Sequence, residues 1–498
     1  MTLHQLYLAL LAGGAVVLAS IAATRVAASL GLPSLLLFLG VGVLLGEDAL
    51  GVDFHDAQLA QNLGTAALAV ILIEGGLTTR WADVRAQVAS AAVLSTVGVG
   101  VSTCVTAVGV HYLLSLEWQL AFLLGAIVSS TDAAAVFSVL RVLQVPRRVL
   151  GVLEAESGFN DAPSVILVVL FSEVPFGVSP DHLVLELAYE LAAGAAIGLV
   201  LGRLGTLTLT RLALPASGLY PLAVFGLGVL AFAAAGAAHA SGFLAAYLAA
   251  LVLANTRLPH WSATRSFAEG FGWLAQIGLF VLLGLLVTPH ELPGELVPAL
   301  VTGAVLLLIA RPLSVVVSLT PFRVPRSQQA FVSWAGLRGA VPIVLATFPI
   351  VQGVPSSHRL LNIVFVLVVL FTLVQGPSLY PLARWLRIAP REATRQILVE
   401  SAPLDVLDAE LLTMTIPGGS ELNGVSVVEL RLPEPSVITL VIRDGKTFVP
   451  TPDTVLRVAD EILVVTTRTS RELTERRLRA VSRRGSLAHW FDEYGEPD

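Results

Sequence analysis

The sequence predicts an all-α polytopic membrane protein of about 13 transmembrane helices, with a small α+β cytoplasmic domain behind it. Three observations predict this. Hydrophobic residues make up 55% of the 498, and mean hydropathy is +0.81. Only 13% of residues are charged, where a soluble protein carries about 25%. Roughly half of those charges follow Ala389, so a membrane part precedes a soluble one.

A span needs about 20 mostly apolar residues. Segments of that kind centre near Val16, Leu39, Ala69, Val99, Ile127, Phe159, Gly198, Val229, Ala249, Leu279, Leu307, Ala340 and Val368. The first, MTLHQLYLALLAGG onward, lacks the basic region of a cleavable signal and reads as a helix that stays. The second is short and Gly-rich, and only a Gly/Ala stretch around His239 separates the eighth from the ninth. His239 there reads as an ordinary loop histidine. Loop charges set the orientation, because cytoplasmic loops collect Arg and Lys. Alternate connections hold Arg25; Arg80 and Arg85; Arg141, Arg147 and Arg148; Arg203 and Arg211; Arg257 and Arg265; Arg323 and Arg326. The intervening ones are acidic, with Asp48, Glu117, Glu173 and Glu291 among them and Arg359 as the exception. The pattern places the N-terminus outside and the C-terminus in the cytoplasm of an inner (plasma) membrane protein.

The net charge of -6 leaves no basic face for nucleic acid. Cys104, the only cysteine, rules out a disulfide or a thiolate metal site. It sits in an apolar run and reads as core packing.

Ionisable groups in hydrocarbon cost about 2.5–3.5 kcal/mol each on the insertion scale, so those kept at mid-span mark function. The fifth segment, LLGAIVSSTDAAAVFSVL, gathers Ser129, Ser130, Thr131 and Asp132. Four short polar side chains in a row compete for backbone hydrogen bonds, which suits a broken helix offering oxygens to a cation. The sixth, GVLEAESGFNDAPSVILVVL, holds Glu154, Glu156, Asn160 and Asp161. At helical spacing Ser157 and Asp161 share one ridge, and Glu156 and Asn160 the next. Asp161 with the Ser157 hydroxyl offers hard oxygens to an alkali cation. Desolvation favours the protonated form of such a carboxylate, so proton and cation compete for it. Glu156 needs a counter-charge. Arg338, in FVSWAGLRGAVPIVLATFPI between Gly336, Gly339 and Pro342, is the expected partner and would also offset helix-end dipoles. Interrupted spans early and late in a chain point to inverted repeats with a midplane site. Glu74 reads equally as a cavity or an interface residue. Arg311, before Pro312, reads as a structural pair partner or a snorkelling side chain.

SSTDAAAVFSVL, EAESGFNDAPSVIL and GLRGAVPIVLATFP together resemble the cation/proton antiporter superfamily, specifically its electroneutral branch with Asn-Asp in the sixth helix, over residues 4–388. The resemblance implies a thirteen-helix homodimer with crossing broken helices five and twelve and an elevator-like alternating access. It implies Asp161 as the cation and proton carboxylate, Thr131 and Ser157 as cation ligands, Asp132 near the site, and Glu156 and Arg338 as an ion pair beside Asn160. Ala133 stands where many members carry Pro. The tail strands ELLTMTIP, SVITLVIR and EILVVTT, with turns at Pro417-Gly418-Gly419 and Asp444-Gly445, resemble the C-terminal ligand-binding (TrkA-C) domain of potassium-conductance regulators. This implies dimerisation and a small-molecule regulator such as a cyclic dinucleotide; the alternative is a passive dimer clamp. No G-x-G-x-x-G is present.

The expected organisation is a transmembrane exchanger at 1–388, a linker at 389–401, a regulatory domain at 402–470 and a tail helix at 471–498, solvated or touching the anionic leaflet. The expected activity is electroneutral potassium/proton exchange with no bound cofactor, sodium being the alternative cation. Of other classes, a ligand-gated cation channel is disfavoured by the lack of a TVGYG-type filter, and an intramembrane hydrolase by the lack of His-Glu-x-x-His or Gly-x-Ser-x-Gly.

Overall fold

The computed structural model describes residues 2–30, 33–132, 145–174, 176–177, 180–212, 214–256, 258–388, 399–404, 409–467 and 469–484. Ala133, Arg141, Arg257, most of the 389–401 linker and residues 485–498 lie outside them. The chain forms two compact units, Met1–Ala389 and Pro390–Asp498.

Among the described residues, the regular structure of the first unit is all helical. Among the described residues, eight helices are long and apolar enough to cross a membrane, or nine with the bent pair Arg326–Ala335 and Ala340–Val351. The expected thirteen is larger. The difference lies in the short helices Ser34–Leu45, Trp118–Ile127 and Gly242–Ala254 and in the pair Arg147–Phe159 and Asp161–Phe171, which meets at Asn160. The first of these explains its own glycines. Gly42 and Gly284 face each other where Ser34–Leu45 crosses Trp261–Leu285, and a Cβ on Gly284 would sit 2.4 Å from Leu39 O. Bare backbone lets the two helices touch.

Two spans contain a single π-helical turn, Leu94–Gly98 and Leu306–Ala310. Each turn inserts a residue and rotates the face that follows. Arg311 comes directly after the second and is buried, 4% exposed. Cys104 differs from expectation: it is exposed on the outer surface of the Val99–Leu114 helix. An all-apolar span has no polar stripe to say which face turns inward.

The second unit is an antiparallel sheet in the order β1-β2-β5-β3-β4, built from β1 Val399–Leu404, β2 Ala409–Thr415, β3 Val437–Arg443, β4 Lys446–Phe448 and β5 Glu461–Thr467. Alternate residues of β2 and β5 are buried, as one covered face requires. Asp444 and Gly445 both take positive φ between β3 and β4, the backbone of a tight hairpin. β1 starts inside the expected linker. The helix Arg471–Arg484 is not a freely solvated tail: Leu478 and Val481 are buried in the same core as Leu412, Ile462 and Val464, and Arg477 Nε donates to Leu430 O at 2.8 Å.

Arg443 grips Asp460 in this unit through two bonds of 2.8 Å, and the Arg457 N–H donates to the same carboxylate at 2.8 Å. Burial alone would raise the Asp460 pKa; the Arg443 and Arg457 contacts outweigh it and hold it below its ordinary value. A depressed folded-state pKa stabilises above the unfolded-state value and loses that contribution as pH falls through the folded one. Calorimetry of the full-length chain is expected to show the second unit's transition falling as pH drops below about 4. Asp460→Asn is expected to lower that transition by about 1.5–3 kcal/mol at pH 7 and to remove its acid dependence.

Candidate cation and proton site

Two helix breaks meet at the site. Trp118–Ile127 ends in a turn at Val128 and Ser129, and residues 130–132 run on without regular structure. Arg326–Ala335 ends at Gly336, and the chain resumes as helix at Ala340 after a 53° bend. The irregular stretches bond to each other: the Asp132 N–H donates to Leu337 O at 2.9 Å. Arg338 Nη1 donates to Ser129 O at 3.0 Å and to Ser130 O at 2.6 Å. Exposed carbonyls at a helix C-terminus carry partial negative charge, and the buried guanidinium, 1% exposed, satisfies them.

Gly339 sits where nothing larger fits. A Cβ there would lie 1.6 Å from Asp132 Oδ2. Gly339→Ala is expected to push Asp132 and the 130–132 stretch out of register and to cut exchange at least about tenfold with little loss of folded protein. Initial rates in proteoliposomes, beside gel filtration of the same sample, check this.

Asn160 bridges the helices Arg147–Phe159 and Asp161–Phe171, and this bridge brings three polar side chains against the first break. Ser130 Oγ donates to Asp161 Oδ1 at 2.6 Å. Thr131 Oγ1 lies 3.3 Å from Ser157 Oγ, and Asn160 Nδ2 donates to Thr131 Oγ1 at 2.5 Å. Asn160 Oδ1 is buried without a protein partner. A buried acceptor of that kind fits an electropositive guest beside it. Asp161, Asp132 and Ser157 line one cavity of about 480 Å³, whose walls also carry Glu74, Glu154, Thr79, Tyr247, Arg265 and Glu269. The structure therefore draws Asp161, Asp132, Thr131, Ser157 and Asn160 into one place, with Glu74 on the cavity wall. No group of three or more His, Cys, Asp or Glu side chains suited to a metal forms among the described residues. The donors at Asp161 are a carboxylate, hydroxyls and an amide, oxygens suited to a hard monovalent ion.

One expected pairing is corrected. Glu156 is not bonded to Arg338 but to Arg311, by a two-pronged contact of 2.5 and 2.8 Å. Arg338 is spent on the carbonyls of Ser129 and Ser130, while Arg311 reaches Glu156 from the span bearing the second π-helical turn. Ser130 and Glu154 are the other side chains that the sequence did not assign to the site. Ser130 stood in the polar quartet, but spacing within an irregular stretch does not say which hydroxyl turns towards Asp161.

Comparisons with known proteins place the chain in a family. Residues 16–385 match the family model described as sodium/hydrogen exchanger, transmembrane, and residues 411–479 match the TrkA-C domain. A protein named K(+)/H(+) antiporter NhaP from Alkalimonas amylolytica is 37% identical over 93% of this chain and 82% of its own length. One named K(+)/H(+) antiporter NhaP2 from Shewanella sp. (strain MR-4) is 35% identical over 91% and 80%. The fold resembles that of the sodium proton antiporter MjNhaP1 from Methanocaldococcus jannaschii, with a TM-score of 0.66 at 20% identity, covering 76% of this chain and 99% of that one. The chain therefore belongs to the transmembrane sodium/hydrogen exchanger family, as a multi-pass cation/proton antiporter rather than an enzyme, and carries a C-terminal TrkA-C domain.

Proposed function

We propose that this antiporter exchanges potassium for protons electroneutrally, by competition of the two ions for the Asp161 carboxylate. The observation that carries the reading is the burial of that carboxylate at the cavity: it lines the cavity, is 6% exposed, and is bonded by Ser130. Glu156 nearby is neutralised by Arg311, and Asn160 cannot titrate. A proton on Asp161 cancels that carboxylate's charge, and the loaded site can cross. A cation held by Asp161, Ser157, Thr131 and Asn160 Oδ1 replaces the proton and leaves the same net charge. One ion in and one proton out moves no charge across the membrane, and alternating access then needs only a loaded site. Potassium is preferred over sodium because the relatives of 35–37% identity over most of the chain are named for it.

The alternation of arginine-rich and acidic loops supports a plasma-membrane protein with the N-terminus outside and the C-terminus in the cytoplasm. The TrkA-C domain supports a homodimer regulated by a small molecule, a nucleotide being the class to test first. The central test is proton flux in proteoliposomes on adding potassium or sodium chloride, with the membrane potential clamped at zero. Potassium-driven flux that survives the clamp upholds the reading. Flux with sodium alone assigns the other cation, and cation current without proton movement assigns a channel.

A further inference from the structure

Glu154, Ser157 and Asp161 fall at successive i, i+3 and i+7 positions, and all three line the cavity. Along a helix this carries Glu154 about 10 Å from Asp161, on the side where the Arg147–Phe159 helix begins. Glu154 is half-buried rather than exposed. Thr79, the C-terminal cap of the Ala57–Thr78 helix, and Tyr247 line the same cavity as Glu154. A glutamate at that depth is neither a solvated surface charge nor a partner in the Glu156–Arg311 pair.

The charges facing Glu154 are mostly negative. Asp83 acts on it from the Trp81–Val84 turn, Glu74 lies on the wall formed by Ala57–Thr78, and Asp132 stands at the helix break. Arg265 on Trp261–Leu285 is engaged with Glu269 at 3.1 Å, and Arg80 lies 3.7 Å from Asp83. A cleft of one sign between low-dielectric walls concentrates counter-ions.

We propose that Glu154 is the gateway carboxylate of the exchange path: set on the cavity wall, it draws the cation into the cavity and passes it to Asp161. The assignment rests on Asp161 as the exchange site and adds a positioning residue that governs how readily the ion arrives. It separates two steps. Loading depends on Glu154, whereas turnover of the loaded site depends on Asp161.

The test measures initial exchange rates against potassium chloride for full-length Glu154→Gln and Glu154→Asp in proteoliposomes. Glu154→Gln is expected to raise apparent KM about tenfold at low ionic strength while Vmax stays within about twofold. Glu154→Asp recovers most of the affinity. Adding an impermeant organic cation narrows the gap between wild type and Glu154→Gln, because a screened field no longer steers. An unchanged KM overturns the proposal, as does a loss of Vmax that Glu154→Asp does not restore. Asp161→Asn that still exchanges overturns the site reading instead, so the two failures are distinct.

Discussion

Asp161→Asn is expected to abolish exchange, leaving proton flux at the leak of protein-free liposomes, a loss of at least about 100-fold or ~2.7 kcal/mol of transition-state stabilisation. The substitution keeps the shape and the contact with Ser130 but removes both functions on which exchange depends. An amide takes no proton in the working pH range and has no charge to hold a cation. Asp161→Glu keeps both functions while displacing them by one methylene in a packed site, so it is expected to retain measurable exchange. The wild type carries its own signature of competition. Once the site is protonated, apparent KM for the cation rises about tenfold for each unit of falling pH, and Vmax does not change. Asp161→Asn that exchanges at wild-type rates would remove the carboxylate from the mechanism, and a pH effect on Vmax alone would replace competition with gating.

That site was legible because hydrocarbon makes polar residues conspicuous. Ser129 to Asp132, Glu156 to Asp161 and Arg338 stand out in spans otherwise built from Leu, Val, Ala and Gly, and interrupted helices explain why two of the runs carry glycine or consecutive hydroxyls. The crossing of the breaks is visible in the sequence only as resemblance; the Asp132 to Leu337 bond is what makes it geometry. Partner choice was not legible. Two buried arginines stood in late spans, and linear spacing says nothing of which one faces Glu156 once a π-helical turn has rotated the helix before Arg311. The Arg471–Arg484 helix hid for a related reason. Its basic face dominates the pattern, whereas the residues that fix its place, Leu478 and Val481, are a narrow apolar stripe that any surface helix can carry. Glu154 hid because three acidic residues in eight look alike until a cavity separates the one that lines it from the one that is paired.

Breaking the Glu156–Arg311 pair is expected to cost more stability than any other single substitution in the membrane unit. Glu156 is 1% exposed and Arg311 4%, and removing one partner of such a pair costs about 3–5 kcal/mol because the other charge stays buried and unmatched. Glu156→Gln is the worse of the two. Arg338 lies within electrostatic reach of both Arg311 and Glu156, so losing the carboxylate leaves two guanidiniums facing each other across the junction of the broken helices. Arg311→Met leaves Glu156 with Arg338 still near. A double-mutant cycle separates the observed pairing from the one the sequence suggested. Glu156→Gln with Arg311→Met is expected to be less destabilised than the sum of its parts by about 1–3 kcal/mol, read as thermal unfolding of the purified protein in one detergent. Glu156→Gln with Arg338→Met is expected to show the smaller favourable coupling, because the hydrogen bonds of Arg338 go to the carbonyls of Ser129 and Ser130 and not to Glu156. Coupling concentrated in the second cycle would return Arg338 to Glu156 and leave the Arg311 contact without energetic weight. Coupling in the first would fix the π-turned helix as the clamp that keeps Glu156 charged and leaves Asp161 alone to exchange its proton.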